Sequence, residues 1–147
     1  MSFKNEKNHE YEFFDVTADV GFKSYGISLE EAYENASKAM FNVISNTNNI
    51  EPKISKNIEI KSEDEVSLLY DYLDELLFIS ETELLLFSSF NISIKQEDDG
   101  MRLSGCVKGE HMDWNKHERG SEVKAVTYHL MEVKNEGKFI TQVILDL

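Results

Sequence analysis

The sequence is poor in the residues that make cross-links or carry chemistry on their own. Cys106 is its one cysteine, so an internal disulfide cannot form and a multi-thiolate zinc site is excluded. Pro52 is its one proline and the seven glycines are scattered, so no Pro- or Gly/Ser-rich linker divides the chain. The apolar runs Leu76–Ile79 and Leu84–Phe87 are far too short to span a bilayer. The polar start, MSFKNEKNHEY, lacks the apolar stretch of a secretory signal, so a reducing, cytoplasmic setting is expected. Positive charge is scarce as well: 15 Lys and Arg stand against 28 Asp and Glu, for a net charge of −13. Such a chain is a poor candidate for gripping nucleic acid, which requires clustered cations to neutralise phosphates. There is no G-x-S-x-G elbow, Walker A loop or G-x-G-x-x-G fingerprint, so the sequence looks empty as an enzyme.

What is present describes one globular unit. The 147 residues are 41% hydrophobic and 29% charged, enough for a single sizeable core. A flexible polar arm is expected over residues 1–10 and a single domain over 11–147. Ser28 followed by Glu31 reads as a capping box. Leu29, Ala32, Tyr33, Ala36, Met40, Val43 and Ile44 then recur at helical spacing. The asparagines at 46, 48 and 49, with Pro52 beyond, end that helix. A second helix is expected to open at Ser62 and Glu65, with Val66, Leu69, Tyr72, Leu73, Leu76 and Leu77 on its apolar face. The remainder alternates as strands. Asp98-Asp99-Gly100 and Asn135-Glu136-Gly137 mark two hairpins in the C-terminal half. The order β-β-α-β-α-β-β-β-β has too few helices for a doubly wound parallel sheet. It implies α+β, with a largely antiparallel sheet and two helices packed on one face.

Three groupings could carry chemistry. Glu110, His111, Asp113 and His117 have a spacing that could present ligands to a transition metal; the alternative is a solvated loop pinned by Trp114. Cys106 and His129 would form a nucleophile pair only if folding joined them, and plain strand packing is the simpler reading. Asp15 and Asp19 near the start, with Asp146 and the Leu147 carboxylate at the end, could form an oxygen-only pocket. Carboxylates on adjacent strands repel unless a cation bridges them, and such donors suit Ca²⁺, Mg²⁺ or Mn²⁺ rather than zinc. The alternative is that Asp15 caps a turn and Asp146 ends a strand in solvent.

These residues lie within a longer pattern. Asp15-Val16-Thr17-Ala18-Asp19-Val20-Gly21 is followed by the helix from Glu30 to Ile44. Then come Leu68-Leu69-Tyr70-Asp71-Tyr72-Leu73-Asp74-Glu75-Leu76-Leu77, Gly109-Glu110 and His117. The pattern closes with Glu122-Val123-Lys124-Ala125-Val126-Thr127-Tyr128-His129 and Val143-Ile144-Leu145-Asp146-Leu147. In this order, over nearly the whole chain from Tyr11, they resemble the archease family. Val16 is a departure, since the family usually has His there.

The resemblance implies a protein that is not itself an enzyme but activates an RtcB-type RNA ligase in tRNA splicing and RNA repair. It would promote guanylylation of the ligase and multiple turnover, while the ligase alone holds GTP, manganese and RNA. The resemblance also implies a divalent-metal site at Asp19, Asp146 and Leu147, with calcium expected first and Mg or Mn as alternatives. Lys124 would be a partner contact, and Asp15 is kept as an outer neighbour of the metal ligands. A metal-dependent hydrolase using His117, or a general chaperone, are the competing classes.

Overall fold

The structure is a computed structural model that describes residues 10–147. The expected arm therefore lies outside the described residues except for Glu10. That residue is tied down: its carbonyl accepts from the Tyr25 amide at 2.9 Å and its carboxylate pairs with Lys38 at 2.9 Å.

The elements are β1 (Tyr11–Val16), β2 (Asp19–Gly26), α1 (Leu29–Ile44), a 3-10 turn (Thr47–Asn49), β3 (Ile54–Ser62), α2 (Glu65–Glu83), β4 (Leu85–Glu97), β5 (Gly100–His111), β6 (Ala125–Asn135) and β7 (Phe139–Asp146). Every strand pairing is antiparallel, as α+β patterning implies. The strands divide, however, into two sheets, ordered β1-β2-β7-β6 and β3-β5-β4. Among the described residues no strand of one sheet neighbours a strand of the other, and both helices touch both sheets. The helices thus form the packing between them. This is why α1 buries nearly its whole circumference, with Ala32, Tyr33, Ala36, Ala39, Met40 and Phe41 fully inaccessible.

Ser28 caps α1 as the spacing predicts, accepting from the Glu31 amide at 3.1 Å. At α2 the structure moves the cap. Ser62 is the last ladder residue of β3, and its hydroxyl donates to Asp71 at 2.6 Å. Asp64 is the N-cap, in a reciprocal box with Ser67. Asp and Ser compete closely as caps, and the β3–β5 register decides between them by holding Ser62 in the sheet. The helix also runs on to Glu83, and Leu84 at φ 54° caps it directly before β4. A left-handed leucine leaves no glycine signal in the sequence. Among the described residues every buried side-chain polar atom has a partner: Tyr72 donates to Ser37 at 2.8 Å, and Ser24 bonds Ala32 and Thr141.

Candidate functional site

The site begins at a hairpin. Thr17 and Ala18 turn β1 into β2, with Ala18 at φ 63°, a left-handed conformation that costs a non-glycine residue about 1–2 kcal/mol. Asp19 is the first residue of β2. The β2–β7 register sets it directly opposite Asp146, the last residue of β7. Directly opposed residues have Cβ atoms roughly 4.5–5.5 Å apart, and like charges there are destabilising. Asp146 is exposed and Asp19 half-buried. An Asp19 carboxylate oxygen faces the Leu147 amide at 3.4 Å, and the Lys124 amide donates to the Asp146 carbonyl at 2.8 Å. The sheet therefore gathers Asp19, Asp146, Leu147 and the backbone of Lys124 at one corner, with the Lys124 side chain exposed.

Asp15 does not join them. Its register partner is Val20, whereas Val16 pairs with Asp19. Because side chains alternate along a strand, Asp15 leaves from the core-side face and Asp19 from the other. The outer-neighbour place expected for Asp15 is thus not supported by the register. The two-residue turn removes the shared face that an extended segment would have given. Gly21, two residues beyond Asp19, has its own requirement. A Cβ there would lie 2.2 Å from the Phe14 ring, which covers this part of the outer face.

The polar cluster between β5 and β6 forms a latch instead of a metal centre. His117 is buried, its Nε2 lies 3.0 Å from Glu110, and its Nδ1 accepts the Asp113 amide at 3.0 Å. Since Nδ1 accepts, Nε2 carries the proton, and neither nitrogen is left for a cation. Glu110 is buried too. It takes Lys116 at 2.8 Å and the Glu51 amide at 2.8 Å. Burial pushes its carboxyl up, but these donors outweigh burial and hold it at about 2. His111 and Asp113 are exposed. Trp114 is not the pin: it is 36% exposed and stacks with Arg119. The connection is held by His117 and by the Gly120 and Ser121 amides, which donate to Ile44 and Val43 carbonyls at 2.9 Å each and so cap the end of α1. It delivers the chain to Lys124.

Among the described residues, no three His, Cys, Asp or Glu side chains are grouped to hold a metal ion. A cation at the chain-end corner would thus have two side-chain carboxylates and depend on Leu147 for a further oxygen. The Cys106–His129 pair is not assembled: Cys106 lies between Asn57 and Asn91 in the three-stranded sheet, and His129 is in β6 of the other. Among the described residues no helix is long and apolar enough to cross a membrane.

Residues 11–147 match the archease protein family. The chain belongs to that family. It is 54% identical to the protein archease of Methanothermobacter thermautotrophicus over 138 residues, covering 93% of this chain and 98% of that one. It is 41% identical to the protein archease of Pyrococcus furiosus over 140 residues, covering 94% and 99%. A solution structure of a Methanobacterium thermoautotrophicum protein superimposes with a TM-score of 0.85 at 54% identity, covering 95% of this chain and 99% of that one. For an archease, Val16 is a telling place to depart from the pattern. Val16 flanks Asp19 in the register, so the His that the resemblance implies at this position would stand beside the carboxylate pair, where the Val16 side chain offers neither donor nor acceptor.

Proposed function

We propose that this protein activates an RtcB-type RNA ligase in tRNA splicing and RNA repair, promoting guanylylation and multiple turnover without being an enzyme itself. The observation that carries the reading is the register match of Asp19 with Asp146, with the Lys124 amide bonded to the Asp146 carbonyl. Two opposed carboxylates at a surface corner are a repulsive arrangement that a cation relieves. The donors are all oxygen, which fits a hard divalent ion: calcium first, then magnesium or manganese. Asp19, Asp146 and an oxygen of Leu147 would hold it, and it would supply positive charge at the corner. Lys124 adds an exposed cation beside it for an acidic or phosphate-bearing group of the partner. GTP and RNA belong to the ligase, in keeping with this chain's charge of −13. A cytoplasmic location goes with this role. The independent-hydrolase alternative loses its base, because both ring nitrogens of His117 are engaged.

The test is multiple-turnover RNA ligation by a cognate ligase, at substoichiometric ligase, with and without this protein. Stimulation by the wild type, and its loss in folded Asp19→Ala and Asp146→Ala variants, is expected. Full stimulation by a folded Asp19→Ala/Asp146→Ala double variant would refute the role of the corner. Turnover of a substrate panel without ligase would refute the activator reading itself.

A further inference from the structure

The block that delivers Lys124 to the corner also carries Tyr128 and His129, to which the chain-end site gives no task. β6 pairs regularly with β7 from Ala125 to Thr127, breaks, and resumes at Glu132 opposite Gln142. Residues 128–131 therefore stand opposite Val143 alone. Bulges of this kind re-aim side chains and gather beside functional sites. Here the bulge forces Leu130 to φ 54°, uncommon for any residue but glycine. It turns Met131 inward and leaves Tyr128 and Leu130 more than half exposed, at 55% and 58%.

Tyr128 lies flat on Tyr70 of α2, with ring centroids 4.0 Å apart and planes 9° off parallel. The surroundings are anionic. Burial first, then the charges of Asp71, Asp64 and Asp74, push the Tyr128 hydroxyl up. Tyr70 and Asp74, four apart on α2, share one helix face. None of these three aspartates forms an ion pair among the described residues. From Ser62 to Ile94 the sequence has eight carboxylates and no Lys, Arg or His. The result is an exposed aromatic face rimmed by carboxylates with no cation of their own.

That chemistry selects its occupant. An aromatic face attracts guanidinium and ammonium groups, and the rim attracts the same groups by Coulomb's law. Both features disfavour phosphate, so stacked nucleic-acid bases fit poorly despite the tyrosines. Tyr and Arg are both enriched at interface hot spots, and charge complementarity steers encounter. We propose that the Tyr70–Tyr128 stack, with Leu130 and the α2 aspartates, is the docking surface for a basic, arginine-bearing face of a protein partner. Naming that partner as the ligase rests on the reading above, since a protein that grips RNA must itself present basic surface.

The full chain is tested in two arms. In the first, a nona-arginine peptide is titrated into ¹⁵N-labelled protein and amide shifts are followed, with single-stranded RNA as the comparison probe. Shifts concentrated in residues 125–131 and the exposed side of α2, with none from RNA, are expected. Shifts lying elsewhere or spread over every acidic patch overturn the surface, and the same shifts produced by RNA overturn it in favour of nucleic acid. In the second arm, ligase binding is measured for the wild type, Tyr128→Ala, Tyr128→Phe and Asp71→Asn/Asp74→Asn at low and high salt, with thermal melts as a check on folding. Tyr128→Ala and the double neutralisation should each weaken binding by about tenfold. Tyr128→Phe, which keeps the ring face, should stay within about twofold. The neutralised variant should show a weaker salt dependence than the wild type. If all variants bind the ligase like the wild type, the docking surface is overturned while the activator reading stands. If the wild type neither binds nor stimulates the ligase, the activator reading fails and the peptide map alone decides the surface.

Discussion

Glu110→Gln removes one charge from a buried corner while keeping its shape, and its cost should depend on pH in a defined way. In the folded protein, burial would raise the Glu110 carboxyl, but Lys116, the Glu51 amide and His117 bring it down from the ordinary 4.5 to about 2. A carboxyl held below its unfolded value contributes stability that is full above about pH 4.5 and is lost as pH falls through about 2. At about 1.36 kcal/mol per pH unit, the difference corresponds to roughly 3 kcal/mol. Lys116 is 39% exposed, and solvent screening of that partner reduces the figure to about 1–2 kcal/mol. For a domain of this size the variant should melt roughly 2–8 °C below wild type at neutral pH. Gln can still accept from His117 and the Glu51 amide, so what is lost is the charge pairing with Lys116. The assay is urea unfolding of both proteins, followed by circular dichroism at steps from neutral pH down to about 2.5. The gap should be constant above pH 4.5 and narrow steadily below it. A gap that does not change with pH, or no gap at neutral pH, would refute the account of this corner.

Other outcomes follow from single contacts. Chelator should lower the melting temperature of calcium-treated wild type, because a ligand bound only by the native state stabilises it; the Asp19→Ala/Asp146→Ala variant should not respond. Lys124→Ala should reduce ligase stimulation, more so at low ionic strength than at high, as read by ligation turnovers across a salt series. Gly120→Ala should destabilise the fold by about 2 kcal/mol or more, since its Cβ would lie 2.4 Å from the Val43 carbonyl; a melt within about 1 °C of wild type would contradict this. Cys106→Ser and His111→Ala should be nearly silent in both melts and ligation, since neither residue takes part in the corner or the latch; loss of ligation in Cys106→Ser would instead revive independent catalysis.

Composition and period were enough to specify much of this protein. The i, i+3, i+4 recurrence from Leu29 to Ile44 and from Val66 to Leu77 determines both helices, because one apolar face must be buried whatever lies against it. Asp98-Asp99-Gly100 determines a hairpin, since Gly100 takes φ 146°, out of reach for most side chains. The motifs at the two ends also name Asp19 and Asp146 without any coordinates. Tertiary structure alone decided the rest. Nothing local to the strands says that they divide into two sheets, because each alternating strand would pair as well in one sheet as in two; the helices, touching both, make the division. Asp15 and Asp19 look alike in sequence, and only the Val16–Asp19 register separates their faces. Likewise, Glu110, His111, Asp113 and His117 look like ligands until the fold buries two of them against each other and leaves two in solvent. Residue type and spacing set which chemistry a side chain can perform. Long-range pairing sets which partner it meets first, and a buried carboxylate that meets a lysine and a histidine becomes part of a latch.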